Sequence, residues 1–569
     1  MNWRKRALPL AAIAAVLVVA TSGPAASSSP RLVLQITVDS MRGDIPTRYY
    51  DQLGENGFRY LWEKGTVYTE AHHAHANTET VVGHVTLATG AHPAVHGMIA
   101  NLWFDRTEGR KVYNIEDKRY RLLTSGGGVD KATEIDSTQK AAKTDGRSPA
   151  AIMVTTFSDE LAIHTAGRSK IFAVSVKDRG AVTMAGHAGK AFWFSKASGE
   201  FVTSSYYYDA YPDWVARWNA KKPAAVYSGR SWELMRDRSS YLFGEADDRS
   251  WETDLAGYGR IFPHHFGKAD GKYFTTLLTI SPVGDELTLA FAKELITHEQ
   301  LGADDVPDYL GISFSSTDYV GHVFGPSSLE SEDNMLRLDA SIADLIAFVD
   351  KHVGLQNTLI VLSSDHGCPE VPGYLKAFGV NAGFVDPGAW DKAPAFMALK
   401  KQFGIDEQLI ESYSQPYLYL NHDVIREYGL DLREVEQAIA KELKKFEGVA
   451  QAVSSSELRE SDLPDTRINR AVLNNFNPNR SGDIYLVFEP HWFIHDFDGL
   501  QVSSTHGSPW RYDTFVPIAF AGMQIPAQHV YRRVLTVDIA PTLTAFFGIK
   551  PPSGSIGVPL VEVFDGWQK

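Results

Sequence analysis

The chain has 569 residues, of which 44% are apolar and 22% charged, with a formal net charge of −14. This is ordinary globular composition, long enough to bury a sizeable core, and it excludes a disordered, collagen-like or coiled-coil protein. The acidic balance leaves no whole-chain basic footprint, so nucleic acid is not an expected partner.

The chain opens with Arg4, Lys5 and Arg6, a short apolar run from Leu8 to Ala20, and small residues ending near Ala26. That pattern predicts a secretory signal peptide over residues 1–26, with no stable membrane insertion after cleavage. The expected location is the periplasm. A single cysteine, Cys368, rules out an internal disulfide and reads by default as a small buried residue.

Five apolar, β-branched runs follow: Leu32–Val38, Ile171–Val176, Tyr309–Ser315, Thr358–Ser363 and Val516–Ala521. Runs of this length suit parallel strands buried on both faces. Between them lie helical stripes. Leu287, Phe291 and Leu295 form one; Met335, Leu338, Ile342, Leu345 and Val349 form another. The predicted fold is α/β, a central mostly parallel sheet flanked by helices. Residues 27–569 are expected to form one catalytic domain. Two stretches break the rhythm, about 190–270 and about 370–500, and are expected as insertions, the second as a cap subdomain.

Chemistry gathers where the strands end. Asp39 follows the first run. Lys177 and Arg179 follow the second. Asp318 and His322 follow the third, and Asp365 and His366 the fourth. Open α/β sheets bind ligands at that edge. Three carboxylates packed together would repel, and divalent cations remove the conflict. With His506, the imidazoles and carboxylates form a mixed donor set that suits zinc. Asp318 and His322, four apart, share one helical face. Asp365 and His366 are adjacent and need a turn, for which the backbone freedom of Gly367 is the expected device. The run His72, His73, His75 is expected to be solvated or locally bonded and is not assigned to metal.

A nucleophile is expected near Asn77–His84, ahead of an apolar helical stretch. A helix start there would favour an alkoxide or a phosphoryl group, and metal activation would let a threonine attack. The residues alone leave Thr78 and Thr80 both open.

The segments ITVDSMRGD (36–44), NTETVVGHVTLATGAHPAVHGMIANLWFD (77–105), VKDRG (176–180), STDYVGH (316–322), SSDHG (363–367) and STHGSPWRYDTFVPI (504–518) together resemble the alkaline phosphatase superfamily. The likeness is greatest to periplasmic PafA-type alkaline phosphatases, which are related to nucleotide pyrophosphatase/phosphodiesterases. The C-terminal VDIAPTLTAFFGI (537–549) fits the same pattern. The resemblance implies two Zn2+ per chain. One site falls on Asp318, His322 and His506, the other on Asp39, Asp365, His366 and the oxygen of Thr80. It puts the nucleophile on Thr80 and the substrate-binding groups on Asn101, Lys177 and Arg179. GMIANLW departs from many relatives in having Ala100 in place of a second glycine.

The implied function is an alkaline phosphatase that scavenges phosphate from small monoesters through a phosphothreonine intermediate. Two divalent ions less three Asp and one alkoxide sum to zero. Lys177 and Arg179 then match a dianionic monoester better than a diester. The alternative is a phosphodiesterase or nucleotide pyrophosphatase of the same superfamily. A sulfatase is excluded, because Cys368 is followed directly by Pro369 with no suitable Arg after it. The chain is expected to act as a monomer.

Overall fold

The computed structural model describes residues 29–460, 463–494, 496–497 and 500–565. The expected export signal at 1–26 lies outside the described residues. Nine strands form the central sheet: β1 (Leu32–Val38), β2 (Thr66–His72), β3 (Ile171–Ser175), β4 (Lys190–Ser195), β5 (Glu200–Val202), β6 (Asp308–Phe314), β7 (Thr358–Ser363), β8 (Phe515–Gly522) and β9 (Gln528–Leu535). Their order is β9-β2-β8-β7-β1-β6-β3-β4-β5. The block β7-β1-β6-β3-β4 is parallel throughout. β8 runs antiparallel to both its neighbours, and β5 runs antiparallel to β4. The α/β expectation holds, with a sheet that is mostly rather than wholly parallel.

The continuous apolar runs have a simple cause. Alternate side chains of one strand enter different cores. Leu34, Ile36, Leu310, Ile312, Ile360 and Leu362 pack on one face. That face is covered by α3 (Val283–Glu299) and α5 (Leu329–His352), through Phe291, Leu295, Ile342 and Leu345. Val33, Tyr309, Leu359, Val361 and Phe520 pack on the other, against Leu161 and against Ile539 and Leu543 of α6 (Ile539–Phe547). A strand covered on both sides has no solvent face to mark with polar residues.

Four strands of the sheet lie outside the predicted runs. β4 and β5 fall inside the stretch expected as an insertion at about 190–270, and instead extend the sheet itself. β9 lies at an edge and buries only Val530 and Val534. β2 is interrupted by a register shift between Tyr68 and Ala71. Its last residue, His72, and the nearby His73 and His75 are buried, not solvated. His73 bonds Ser364 O at 3.1 Å and Thr536 Oγ1 at 2.9 Å.

Within 370–500, the strand at Ile484–Phe488 is internal to a four-stranded antiparallel sheet with Ile410–Ser414, Tyr417–Leu420 and Val449–Ser454. Leu418, Leu420, Val435, Ile439 and Leu486 give that sheet its own apolar core. Cys368 is buried with a free thiol. Among the described residues no helix is long and apolar enough to cross a membrane.

The sheet register fixes the position of the site. Val38 stands opposite Phe314, Thr37 opposite Ser363, and Ser313 opposite Ser175. The carboxyl ends of β1, β6, β7 and β3 therefore lie level, and the residues after each emerge at one edge.

Candidate active site

Each strand end is turned by specific contacts. After β1, Asp39 N donates to Phe314 O at 2.8 Å. Ser40 then takes a left-handed φ of 65° and donates its N–H to Asp365 Oδ1 at 3.1 Å. A non-glycine residue there is strained, and the bond to Asp365 holds it. Gly367, by contrast, is not in the left-handed region. Its role is close approach: a Cβ there would lie 2.1 Å from Tyr512 O. After β6, helix α4 (Ser316–Phe324) begins on Asp285, whose Oδ1 accepts from Ser315 N and Ser316 N at 2.8 and 3.1 Å. This fixes the helix that carries Asp318 and His322.

The donor groups converge as the strand-end pattern requires. Asp318 Oδ2 is 3.3 Å from His322 Nε2, and Asp318 Oδ1 is 3.4 Å from His506 Nε2. His366 Nε2 is 3.4 Å from both Asp39 Oδ1 and Asp365 Oδ2. Two groups could each hold a metal ion: Asp318 with His322 and His506, and Asp39 and Asp318 with His366. Asp318 borders both.

The three imidazoles are oriented alike. His322 Nδ1 donates to Ser504 O at 2.7 Å, His366 Nδ1 to Gly367 O at 2.9 Å, and His506 Nδ1 to Thr78 O at 2.7 Å. A backbone carbonyl on Nδ1 sets the tautomer and leaves the Nε2 lone pair free for a cation. The acids fit the same reading. Asp39 Oδ1, Asp318 Oδ1 and His366 Nε2 are buried without a hydrogen-bond partner. Unpartnered buried carboxylate oxygens are costly, and divalent cations are the groups that would satisfy them. The donor set therefore fits divalent metal ions.

The electrostatics show the same strain. Burial, together with Asp365, pushes the Asp39 carboxyl well above the usual range. Burial acts the same way on Asp318, but His322 and Lys177 outweigh it and hold Asp318 well below that range. Burial also lowers His366 and His506, keeping both neutral as ligands must be.

Thr80 is the first residue of α1 (Thr80–Thr89), a helix buried along its whole length. Thr78 is placed otherwise: its hydroxyl donates to Ser508 O at 3.0 Å. α1 packs against the end of β7 because Gly83 lacks a side chain; a Cβ there would lie 1.8 Å from Asp365 O. Arg179, on α2 (Asp178–Ala185), donates from Nη2 to Thr80 Oγ1 at 3.3 Å. The Lys177 ammonium lies 2.8 Å from Asp39 Oδ2 and also bonds Asp318. Asn101 Oδ1 accepts from Val81 N at 3.1 Å. All the expected side chains thus meet in one place.

Four contributors have no counterpart among the strand-end signals. Asp136 pairs with Arg179 Nη1 at 2.5 Å. Its only mark in sequence is an N-cap position ahead of Ser137–Lys140. Glu79 Oε2 accepts from Asn101 N at 2.6 Å and Asn77 Nδ2 at 3.0 Å, and burial pushes its carboxyl up to about 7. His84 Nδ1 lies 2.9 Å from Thr80 O and 3.1 Å from Asp365 Oδ2. Tyr319 lies under two ammonium groups, Lys177 and Lys196, each 4.9 Å from the ring centre.

A cleft opens over Arg179, Asp318, His322 and His506.

Comparisons with known proteins identify the family. The family model "Type I phosphodiesterase / nucleotide pyrophosphatase" matches residues 33–509. A calcium-transporting ATPase of Myroides odoratus is 34% identical, over 94% of this chain and 95% of its own length. Alkaline phosphatase PafA of Elizabethkingia meningoseptica is 33% identical, over 94% of each. Alkaline phosphatase PhoV of Synechococcus elongatus is 32% identical, over 95% of this chain and 94% of its own. The crystal structure of wild-type PafA superposes with a TM-score of 0.85, covering 94% of this chain and 99% of that one.

Proposed function

Because the chain belongs to the type I phosphodiesterase / nucleotide pyrophosphatase family and matches two alkaline phosphatases along nearly its whole length, we propose that it is a periplasmic alkaline phosphatase. It hydrolyses small phosphate monoesters through a phosphothreonine at Thr80 and releases inorganic phosphate. The observation that carries this reading is Thr80 Oγ1 facing Arg179 Nη2 at 3.3 Å, at a helix start beside the carboxylate–imidazole cluster.

In this reading Asp318, His322 and His506 hold one zinc ion, and Asp39, Asp365, His366 and Thr80 Oγ1 hold the other. Bound zinc ions supply Lewis-acid stabilisation of the attacking and leaving oxygens and make the threonine hydroxyl more acidic. The chain's own groups do the rest. The amino end of α1 favours the negative charge that gathers at Thr80. Arg179 offers a planar fork to the phosphoryl oxygens. Asn101 has its Oδ1 engaged by Val81 N, so its Nδ2 is the atom left to donate to substrate. Lys177 offsets the charge of Asp39 and Asp318. Water then cleaves the phosphothreonine and restores the hydroxyl.

Turnover of p-nitrophenyl phosphate at alkaline pH tests the reading. It is expected in the purified protein and lost in Thr80→Ala. The family model's name supports a second reading, phosphodiesterase. Rates on p-nitrophenyl phosphate and bis(p-nitrophenyl) phosphate separate the two. A large diester preference overturns the monoesterase reading.

A further inference from the structure

The cleft is uneven in character. Asp318, His322 and His506 line it, whereas Asp39, Asp365 and His366 lie wholly buried beneath. The part of a substrate too large to bury must therefore lie along the Asp318–His322–His506 side. There the wall is apolar: Leu255, Val323 and Val502 face the cleft, with Ile135 and Tyr319 beside them. Among the described residues Arg179 is the only Lys or Arg on the lining, and Thr80 and Asp136 already engage it. The remaining charges on the wall, Glu79 and Asp136, are acidic.

The apolar wall is also fixed in place. Thr253 N donates to Val323 O at 2.8 Å, and the Thr253 and Ser503 hydroxyls meet at 2.8 Å. Ser503 N donates to His322 O at 2.8 Å, and His322 Nδ1 to Ser504 O at 2.7 Å. Two separate chain segments, around Leu255 and Val502, are thus bolted to the end of α4. The wall cannot shift without moving His322. Its apolar side chains are continuous with the main core, which contains Leu255, Tyr319 and Val323.

We infer that Leu255, Val323 and Val502 form a leaving-group shelf that selects phosphate monoesters of uncharged, apolar alcohols over those whose alcohol carries further negative charge. This rests on the phosphatase reading above. An apolar group on the alcohol leaves water for the shelf. A second anionic group on the alcohol meets no lysine or arginine there among the described residues, and the wall also carries the carboxyls of Glu79 and Asp136.

The test uses the full-length enzyme with methyl phosphate, benzyl phosphate and phosphoglycolate. Methoxide and benzyloxide differ little in basicity, so the benzyl-to-methyl ratio of kcat/KM reads contact rather than leaving-group chemistry. That ratio is expected to be about tenfold or more, on the scale of an added apolar group in a pocket. It is expected to fall towards unity in Leu255→Asn and in Val502→Asn, and to survive in Leu255→Met. Phosphoglycolate is expected to fall below methyl phosphate. A ratio near unity in the unmodified enzyme, or one that both Asn variants leave intact, overturns the inference while the phosphatase reading stands. Hydrolysis of none of the three overturns the phosphatase reading, and the shelf falls with it. Should one Asn variant fail to fold, the other decides.

Discussion

Arg179 bonds Thr80 with one guanidinium nitrogen while Asp136 holds the other, at 3.3 and 2.5 Å. The fork is thus aimed before any substrate arrives. Asp136 also takes up one positive charge that the count of cations and anions had left free for phosphate. Removing the fork should cost about 10²–10³ in kcat/KM on p-nitrophenyl phosphate, the scale for a lost transition-state donor. Arg179→Lys should recover little, because a single ammonium cannot span two oxygens. A loss of only a few-fold in Arg179→Ala would remove Arg179 from phosphate binding.

Thr80 and Thr78 should separate cleanly. Thr80→Ala should abolish turnover and also the acid-stable phosphoprotein seen on rapid quenching. Thr80→Ser should keep both, since it retains a hydroxyl. Thr78→Ala should keep the phosphoprotein, because that hydroxyl is spent on Ser508 O. Labelled phosphate recovered on Thr78 would reverse the assignment.

Removing metal should weaken the fold as well as the chemistry. Without cations, Asp39 Oδ1 and Asp318 Oδ1 are left buried and unsatisfied. Chelated and dialysed protein should unfold at a lower temperature, and zinc should restore both Tm and turnover. A ligand at a thousand times its Kd adds about 4 kcal/mol of stability. A Tm indifferent to chelation would argue against a metal in this cluster.

A pH effect should arise behind the cleft wall. Burial, together with Glu330, pushes Glu252 up to about 9. Glu330 Oε1 lies 3.1 Å from His264 Nε2, and burial lowers His264 to about 4. For Glu252 the folded pKa exceeds the unfolded one, so its stabilising effect is full below the ordinary carboxylate range. It is lost progressively as pH rises towards about 9. Thermal unfolding from mildly acidic to alkaline pH should show falling stability, and Glu252→Gln should flatten the slope. An unchanged slope in Glu252→Gln would place the proton elsewhere.

Much of the site was legible because burial on both faces leaves a plain record. β1, β6 and β7 are buried throughout and mostly apolar, so their ends, and the charged residues after them, could be read directly. β9 and β2 were not legible. One is half exposed, and the other carries a register shift that interrupts its pattern. Contacts between distant segments left no trace either. Asp136 reads as a helix cap, and its pairing with Arg179 depends on how a loop folds back over α2. Gly83 reads as a weak point in a helix, and only the packing of α1 on Asp365 explains it. The buried His73 and His75 misled for a related reason: a run of imidazoles resembles a surface segment until its neighbours are known.

Burial also pushes the thiol of Cys368 up to about 12, so it stays protonated at any physiological pH. A protonated, enclosed sulfur is a poor target for alkylation or oxidation. With one such residue and no crosslink to form, the covalent chain is the same whether it matures among oxidants or reductants. Its tolerance of redox conditions should be wide, and dithiothreitol should leave its unfolding profile unchanged.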